Sequence, residues 1–342
     1  MLKTFKETGI SVFSTCPQSK DLTPELYLQN VIDVAQWSER AGCEGILVYT
    51  DNGIADPWVV SQTILSNTEM LAPLVAVQPI YMHPYTAAKI VSTMGLMYNR
   101  RIYLNMLAGG FKNDLIALGD NTPHDDRYKR TTEYTLIIKK LLATTKGVTF
   151  KGKYYSIENL KMTPALAENI QPGILISGSS EAGLQAAKDI DGIAVQYPKP
   201  FREYEENPVD PDINAGVRVG IIARESKEEA WKVAHERFPG DRKGQIAHKL
   251  AMKVSDSKWH EQLSDLADKT SDGDTPYWMF PFQNYKTFCP YLVGDFKEVA
   301  NEIAGYISVG YKTFILDIPA NHEELEYINR VFSYAVENGV KG

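Results

Sequence analysis

Gly173-Ile174-Leu175-Ile176-Ser177-Gly178-Ser179-Ser180-Glu181-Ala182-Gly183-Leu184 is the stretch that decides the fold. An apolar run of strand length closes on Ser177, turns through Gly-Ser-Ser, and opens a helix on an acidic residue. A buried strand that feeds a helix through a tight turn is one βα unit. The start of such a helix also has chemistry. Its first N–H groups lack intrahelical partners, and with serine hydroxyls beside them they suit a phosphate. The plainer reading is that Ser179 or Ser180 only caps the helix.

Working outward, seven more apolar runs of the same kind punctuate the chain: Ile10–Ser14, Gly45–Thr50, Leu74–Pro79, Ile102–Leu107, Ile193–Tyr197, Val217–Ala223 and Thr313–Ile318. Their hydrophobicity is nearly continuous, which suits parallel strands covered on both faces. The helices between them carry their own signals. Thr23-Pro24-Glu25 reads as N-cap, N1 proline and acidic first turn, and Gly42 as a stop. Glycine precedes an apolar strand again at Asp191-Gly192 and at Gly310. Eight strands over 342 residues give about 43 residues per βα unit. The expected fold is therefore α/β, a (β/α)8 TIM barrel with insertions, as a single domain over residues 1–342. A doubly wound sheet is the second choice. One insertion, Val148–Leu160, alternates and turns at Lys151-Gly152, so it reads as a hairpin. The other, Phe238–Leu292, begins polar and helical and ends with seven aromatics between Tyr277 and Tyr291.

Composition excludes several function classes. Acidic residues outnumber basic ones 43 to 36, for a net charge of −7. No broad basic field exists for a nucleic acid or an anionic membrane. The three cysteines, Cys16, Cys43 and Cys289, form no CxxC pair. The six histidines show no metal-ligand spacing, and HExxH, Walker A and GxSxG are absent. No signal-like leader and no long apolar run is present. The expectation is a soluble, reduced, cytoplasmic protein without a metal site.

In a barrel of this kind the site lies at the C-terminal ends of the strands. Gln78 and Asn105 are amides in apolar strands, and buried amides must find partners in the backbone or in a ligand. Arg218 is a charge within a strand and needs an anionic or polar partner, either structural or functional. His124 and Tyr128 are four apart at the start of a helical stretch, so they share a face. They either close over a phosphate or simply cap and pack the helix. The aromatics of Tyr277–Tyr291 suit a structural cap or a lid over a planar ligand. No acid–base pair or nucleophile stands out, which points to a cofactor as the carrier of the chemistry.

Taken in order, these pieces resemble the bacterial luciferase-like flavin monooxygenases, especially the alkanesulfonate and long-chain alkane monooxygenase branch. The matching segments run from about Gly9 to Tyr334: Gly45–Thr50 with Asp56-Pro57-Trp58, Val75–Pro79, Leu104–Gly109, Asp126-Arg127-Tyr128 with Glu133, Ser177–Ser180, Gly216-Val217-Arg218 and Leu292-Val293-Gly294. The resemblance implies a barrel that binds FMN, arriving as FMNH2 from a separate NAD(P)H-dependent flavin reductase. Oxygen then gives a C4a-peroxyflavin that oxygenates a small organic substrate. By position, Ser179 and Ser180 would hold the phosphate, with His124 and Tyr128 closing it, and Ser177 and Gly178 would also bind the cofactor. Gln78 and Asn105 would face the isoalloxazine, and Arg218 and Asn105 would be the catalytic side chains. A homodimer is implied as well. A deazaflavin-dependent dehydrogenase and a non-catalytic flavin-binding protein are the alternatives. The chain departs from the branch at Ile54 (a cysteine there), Gly220 (a histidine) and Ile318 (a tyrosine region). Its flexible-loop arginine has only Lys286 nearby. These departures argue against a sulfonate substrate.

Overall fold

The computed structural model describes residues 5–206, 208–254 and 275–339. Its strands are β1 Ser11–Thr15, β2 Gly45–Val48, β3 Ala72–Val77, β4 Tyr103–Met106, β5 Val148–Lys151, β6 Ser156–Leu160, β7 Gly173–Ser177, β8 Ile193–Gln196, β9 Ala215–Arg224, β10 Tyr277–Trp278, β11 Tyr291–Asp295 and β12 Thr313–Leu316. The helices are α1 Pro24–Ala41, α2 Pro57–Ser66, α3 Pro84–Tyr98, α4 Lys112–Ala117, α5 His124–Leu142, α6 Glu181–Asp189, α7 Glu203–Glu206, α8 Lys227–Arg237, α9 Arg242–Val254, α10 Phe280–Gln283, α11 Phe296–Ser308 and α12 His322–Gly339. The fold class is the expected one, a (β/α)8 barrel with insertions. All eight expected strands are present, as β1, β2, β3, β4, β7, β8, β9 and β12. Among the described residues no helix is long and apolar enough to cross a membrane.

The chain divides into two compact units. One comprises Cys16–Ala35 and Gly45–Ala194, the other Met1–Thr15, Gln36–Glu44 and Val195–Gly342.

The first of these is built on the parallel strands β2-β3-β4-β7. Every residue of β3 is buried, as its unbroken apolar run requires. Helix α2 starts where Asp56 Oδ1 accepts from the N–H groups of Trp58 and Val59, at 3.0 and 3.1 Å, with Pro57 at N1. The Asp56-Pro57-Trp58 signature is thus a cap. The Val148–Leu160 hairpin is present as the antiparallel pair β5–β6. Its turn is tied down from α5: the Glu133 carboxylate accepts from the N–H groups of Lys153, Tyr154 and Tyr155, at 2.7, 2.8 and 3.1 Å. Glu133→Ala strips three amides of their acceptor. The expected loss is about 1.5–3 kcal/mol in urea denaturation. A loss below about 0.5 kcal/mol, the range of an ordinary surface change, would contradict this role.

In the other unit β9 is longer than its apolar core predicts. Its first half pairs with β12, from Gly216↔Thr313 to Val219↔Leu316. Its second half pairs with β11, from Gly220↔Tyr291 to Arg224↔Asp295. The expected insertion therefore ends in sheet: β11 and its antiparallel neighbour β10 extend the strand set. Asp295 closes β11 and opens α11 with a capping box shared with Glu298. The aromatic segment is also corrected. Tyr277, Trp278, Phe282 and Tyr291 are buried. Trp278 and Tyr291 pack with Ile222, Ala230, Ala234, Phe238 and Val293 in one cluster. These rings have apolar neighbours of their own and form core, so a movable cover built from the whole segment does not fit.

Candidate functional site

The pleat of the first unit decides which strand residues share a face. Ala76 pairs with Asn105, and Asn105 with Leu175. Gln78 and Ser177 each follow their strand's paired residue by two positions, so Gln78, Asn105 and Ser177 project to the same side. Ser177 Oγ donates to Asn105 Oδ1 at 2.9 Å. Asn105 is 5% exposed and Gln78 8%. Among the described residues the Asn105 amide nitrogen and the Gln78 side-chain amide make no hydrogen bond. Two nearly buried amides with donor and acceptor capacity unspent suit a polar heterocycle.

Beside them lies the Ser177–Ser180 turn. Helix α5 begins at His124, so His124 and Tyr128 lie one turn apart on it. Their rings meet edge-on, with centroids 5.2 Å apart. The Tyr128 hydroxyl donates to the Ser177 carbonyl at 3.3 Å. Its ring covers Gly178 so closely that a Cβ there would overlap the hydroxyl and lie 3.0 Å from Cζ. The same ring flanks Gly183, whose Cβ would lie 3.2 Å from Cε1 and Cζ. Ser180 is the α6 N-cap and accepts from the Gly183 N–H at 3.2 Å. Capping is therefore one real role of this serine. Ser179, half-buried, occupies the turn before it. His124 Nδ1 lies 2.7 Å from Asp125 Oδ1, which orients the ring. All eight residues expected at the cofactor, Gln78, Asn105, His124, Tyr128, Ser177, Gly178, Ser179 and Ser180, fall within this one unit.

Sequence reasoning missed what braces the cradle. Arg127 is 3% exposed and donates to the carbonyls of Thr122 and Gly109, at 3.0 and 3.3 Å. Arg130 pairs with Asp120 at 2.6 Å, and Thr122 donates to the same carboxylate through its N–H and hydroxyl. Burial alone would raise the Asp120 pKa. The bonds from Arg130 and Thr122 outweigh it and bring the group from 3.8 down to about 2. A folded-state pKa below the unfolded one stabilises the fold above pH 4, and that contribution is lost as pH falls from about 4 through 2. The melting temperature of Asp120→Asn is accordingly expected to be lower at pH 7 and to fall less between pH 4.5 and 2.5 than that of the parent chain. Parallel slopes for the two proteins would contradict this.

Arg218 belongs to the other unit and sits in a different setting. Its Nη1 donates to the Tyr197 hydroxyl at 3.4 Å, and Nη2 lies 3.7 Å from Asp317 Oδ1. Asp317, just past β12, is the hub of the group. Its Oδ2 accepts from Thr287 Oγ1 at 2.6 Å and from the Tyr291 hydroxyl at 2.8 Å. The side chains of Arg218 and Asp317 are 7% and 11% exposed. Burial pushes the Tyr291 phenol well above its ordinary value, so it stays a hydrogen-bond donor. The departure at Gly220 now has a cause. Tyr291 is paired with it across the ladder, and a Cβ at 220 would overlap the Tyr291 ring. Ile318 contributes its carbonyl, which accepts from Arg237 at 2.6 Å. Lys286 is held by Asp241 at 2.7 Å. Nothing in the sequence singled out Thr287 or Tyr291 as partners of Asp317. The spacing is too long for any local pattern.

The profile of the luciferase-like monooxygenase family matches residues 8–313. A curated relative, the 4-(gamma-L-glutamylamino)butanoyl-[BtrI acyl-carrier protein] monooxygenase BtrO of Niallia circulans, is 37% identical over 311 residues, which cover 89% of this chain and 91% of that one. Among solved structures, the EDTA monooxygenase EmoA of Chelativorans sp. BNC1 aligns with a TM-score of 0.70 at 14% identity, over 96% of this chain and 94% of that one. The oxygenating constituent of 3,6-diketocamphane monooxygenase, from the CAM plasmid of Pseudomonas putida and in complex with FMN, aligns with a TM-score of 0.66 at 13% identity, over 96% of this chain and 97% of that one.

Proposed function

The chain belongs to the luciferase-like monooxygenase family, and we propose that it uses reduced FMN and O2 to oxygenate a small organic acyl group presented as a thioester on a carrier protein. The carrying observation is the Gly178 cradle. Tyr128 leaves no room for a Cβ at Gly178, as suits backbone that must approach a phosphate. The unspent amides of Gln78 and Asn105 suit the polar edge of the flavin ring. The residues present therefore fit FMN.

When bound, reduced flavin supplies the two electrons that activate O2. The chain's own residues bind, orient and shield. Ser179 and the N–H groups at the start of α6 hold the phosphate, while Ser180 keeps that helix start in shape. His124 and Tyr128 close over it. Ser177 fixes the Asn105 carboxamide so that its nitrogen meets the ring. Arg218, neutralised by Asp317, orients the polar end of the substrate by hydrogen bonding. Water is kept from the reacting atoms, because a wet site releases reduced oxygen as hydrogen peroxide. The carrier-bound substrate follows that of the Niallia circulans relative. A separate flavin reductase delivers FMNH2, and the protein works in the cytoplasm as one domain. Val59 on α2 and Leu96 and Met97 on α3, 69%, 66% and 60% exposed, support a homodimer through these helices.

The test supplies the purified protein with FMN, a flavin reductase, NADH, 18O2 and the γ-glutamylaminobutanoyl thioester of a carrier protein. One labelled oxygen is expected in the acyl product. Peroxide release alone, with no label in the acyl group, overturns the reading. Hydride transfer from a reduced deazaflavin without oxygen use would point to the dehydrogenase instead.

A further inference from the structure

Helix α9, Arg242–Val254, has two contrasting faces. The inner face is held within its own unit. Gln245 Nε2 donates to Asn284 Oδ1 at 2.9 Å, the buried His248 ring lies edge-on to Phe282 with centroids 4.6 Å apart, and the Gly244 N–H donates to Asp241 at 3.0 Å. These contacts fix the rotation of the helix. At ~100° per residue, positions 242, 243, 246 and 250 then share an outward arc of roughly 100°. Arg242 and Lys243 are exposed there. Ile246 and Leu250 are 54% and 59% exposed. No acidic residue occurs in the sequence between 242 and 254. The chain as a whole carries −7. Two exposed aliphatic side chains thus lie beside two exposed cations on an acidic chain.

We infer that this face is the docking surface for an acidic carrier protein that delivers the acyl substrate. The inference rests on the carrier-bound substrate of the proposed function. Its own support is charge complementarity: a small helical carrier with an acidic, partly apolar recognition face matches this surface in both properties, and a phosphopantetheine arm adds a further negative charge. Cationic rims accelerate encounter and fix register, while the aliphatic pair supplies the desolvated centre. A lipid surface fits less well, since membrane-binding helices bring a continuous apolar face with large or aromatic side chains, and among the described residues of this helix the exposed large apolar side chains are Ile246 and Leu250.

The experiment measures anisotropy of a fluorescently labelled carrier protein bearing the γ-glutamylaminobutanoyl thioester, titrated with the full chain. Two double variants are compared with the parent, Arg242→Glu/Lys243→Glu and Ile246→Ser/Leu250→Ser, with the exposed Lys312→Glu as control. Melting temperatures confirm that all are folded. Each double variant is expected to raise Kd at least tenfold, the control less than twofold, and added salt is expected to weaken the parent complex. In turnover, KM for the carrier thioester is expected to rise at least tenfold in the double variants, while KM for the same acyl group on pantetheine changes less than twofold. Unchanged Kd in both double variants overturns the docking surface, even if the carrier thioester is oxygenated. Binding of the parent chain to vesicles containing anionic lipid, with no binding of the carrier, also overturns it. If carrier binding depends on this face but the thioester is not oxygenated, the docking surface stands and the substrate reading falls.

Discussion

Gly178→Ala is expected to weaken FMN binding at least a hundredfold, about 2.7 kcal/mol at 25 °C. The added methyl overlaps the Tyr128 hydroxyl and lies 3.0 Å from Cζ. Tyr128 cannot yield cheaply. It is 8% exposed, its hydroxyl is bonded to the Ser177 carbonyl, and its ring is braced edge-on by His124. Either α5 shifts at its N-terminus or the turn moves away from α6, and both change the place offered to a phosphate. Two further variants separate these effects. Tyr128→Phe keeps the ring and loses only the hydroxyl, so binding is expected to weaken less than tenfold. Gly178→Ala/Tyr128→Ala relieves the clash, so thermal stability is expected to recover while binding stays weak, because the closing ring is gone. Fluorescence titration with FMN and a melting curve decide it. Parent-like affinity in Gly178→Ala would mean that the turn does not approach the phosphate.

Asp317→Ala is expected to cost about 3–5 kcal/mol of folding stability, the range for removing one partner of a buried charge pair. The change takes an anion from beside Arg218 and leaves the Thr287 and Tyr291 hydroxyls without their acceptor. Thr287→Val removes one neutral donor from the same group, for about 1 kcal/mol. Asp317→Asn keeps an oxygen for the two hydroxyls and loses the charge, so it falls between the two. Chemical denaturation, compared at equal m-value, measures all three. A loss below 1 kcal/mol for Asp317→Ala would show that Arg218 is satisfied without it. The same cluster predicts the cost of restoring a side chain at 220. The Tyr291 ring already fills that space, so Gly220→His is tolerated only with a smaller residue at 291.

How much of this was legible in the sequence depends on range. The eight barrel strands were, because strands buried on both faces read as unbroken apolar runs. Strand ends were less so: β2 stops at Val48 and β3 at Val77, before the polar or proline residues that the apolar runs carried along. Strand β11 was missed. Tyr291–Asp295 is five residues long and ends in glycine and an N-cap aspartate, which reads as the approach to a helix. The aromatics before it were legible as a cluster but not as core, since composition does not say whether a ring has apolar neighbours on both sides. The helix spacing that joins His124 to Tyr128 was readable, being local. Its consequence, a tyrosine ring closed over a glycine fifty residues away, was not. The same holds for Glu133 and the hairpin turn, and for Tyr291 and Asp317. These pairings exist only once the sheet has brought distant segments together.

If the Ser177–Ser180 turn and Tyr128 hold the phosphate of a reduced flavin, that phosphate must govern affinity. Anaerobic titration of the protein with FMNH2 and with reduced riboflavin, which differ only in that phosphate, decides it. FMNH2 is expected to bind at least a hundredfold more tightly, and Gly178→Ala to remove most of the difference. Equal affinity for the two flavins in the parent protein would contradict it.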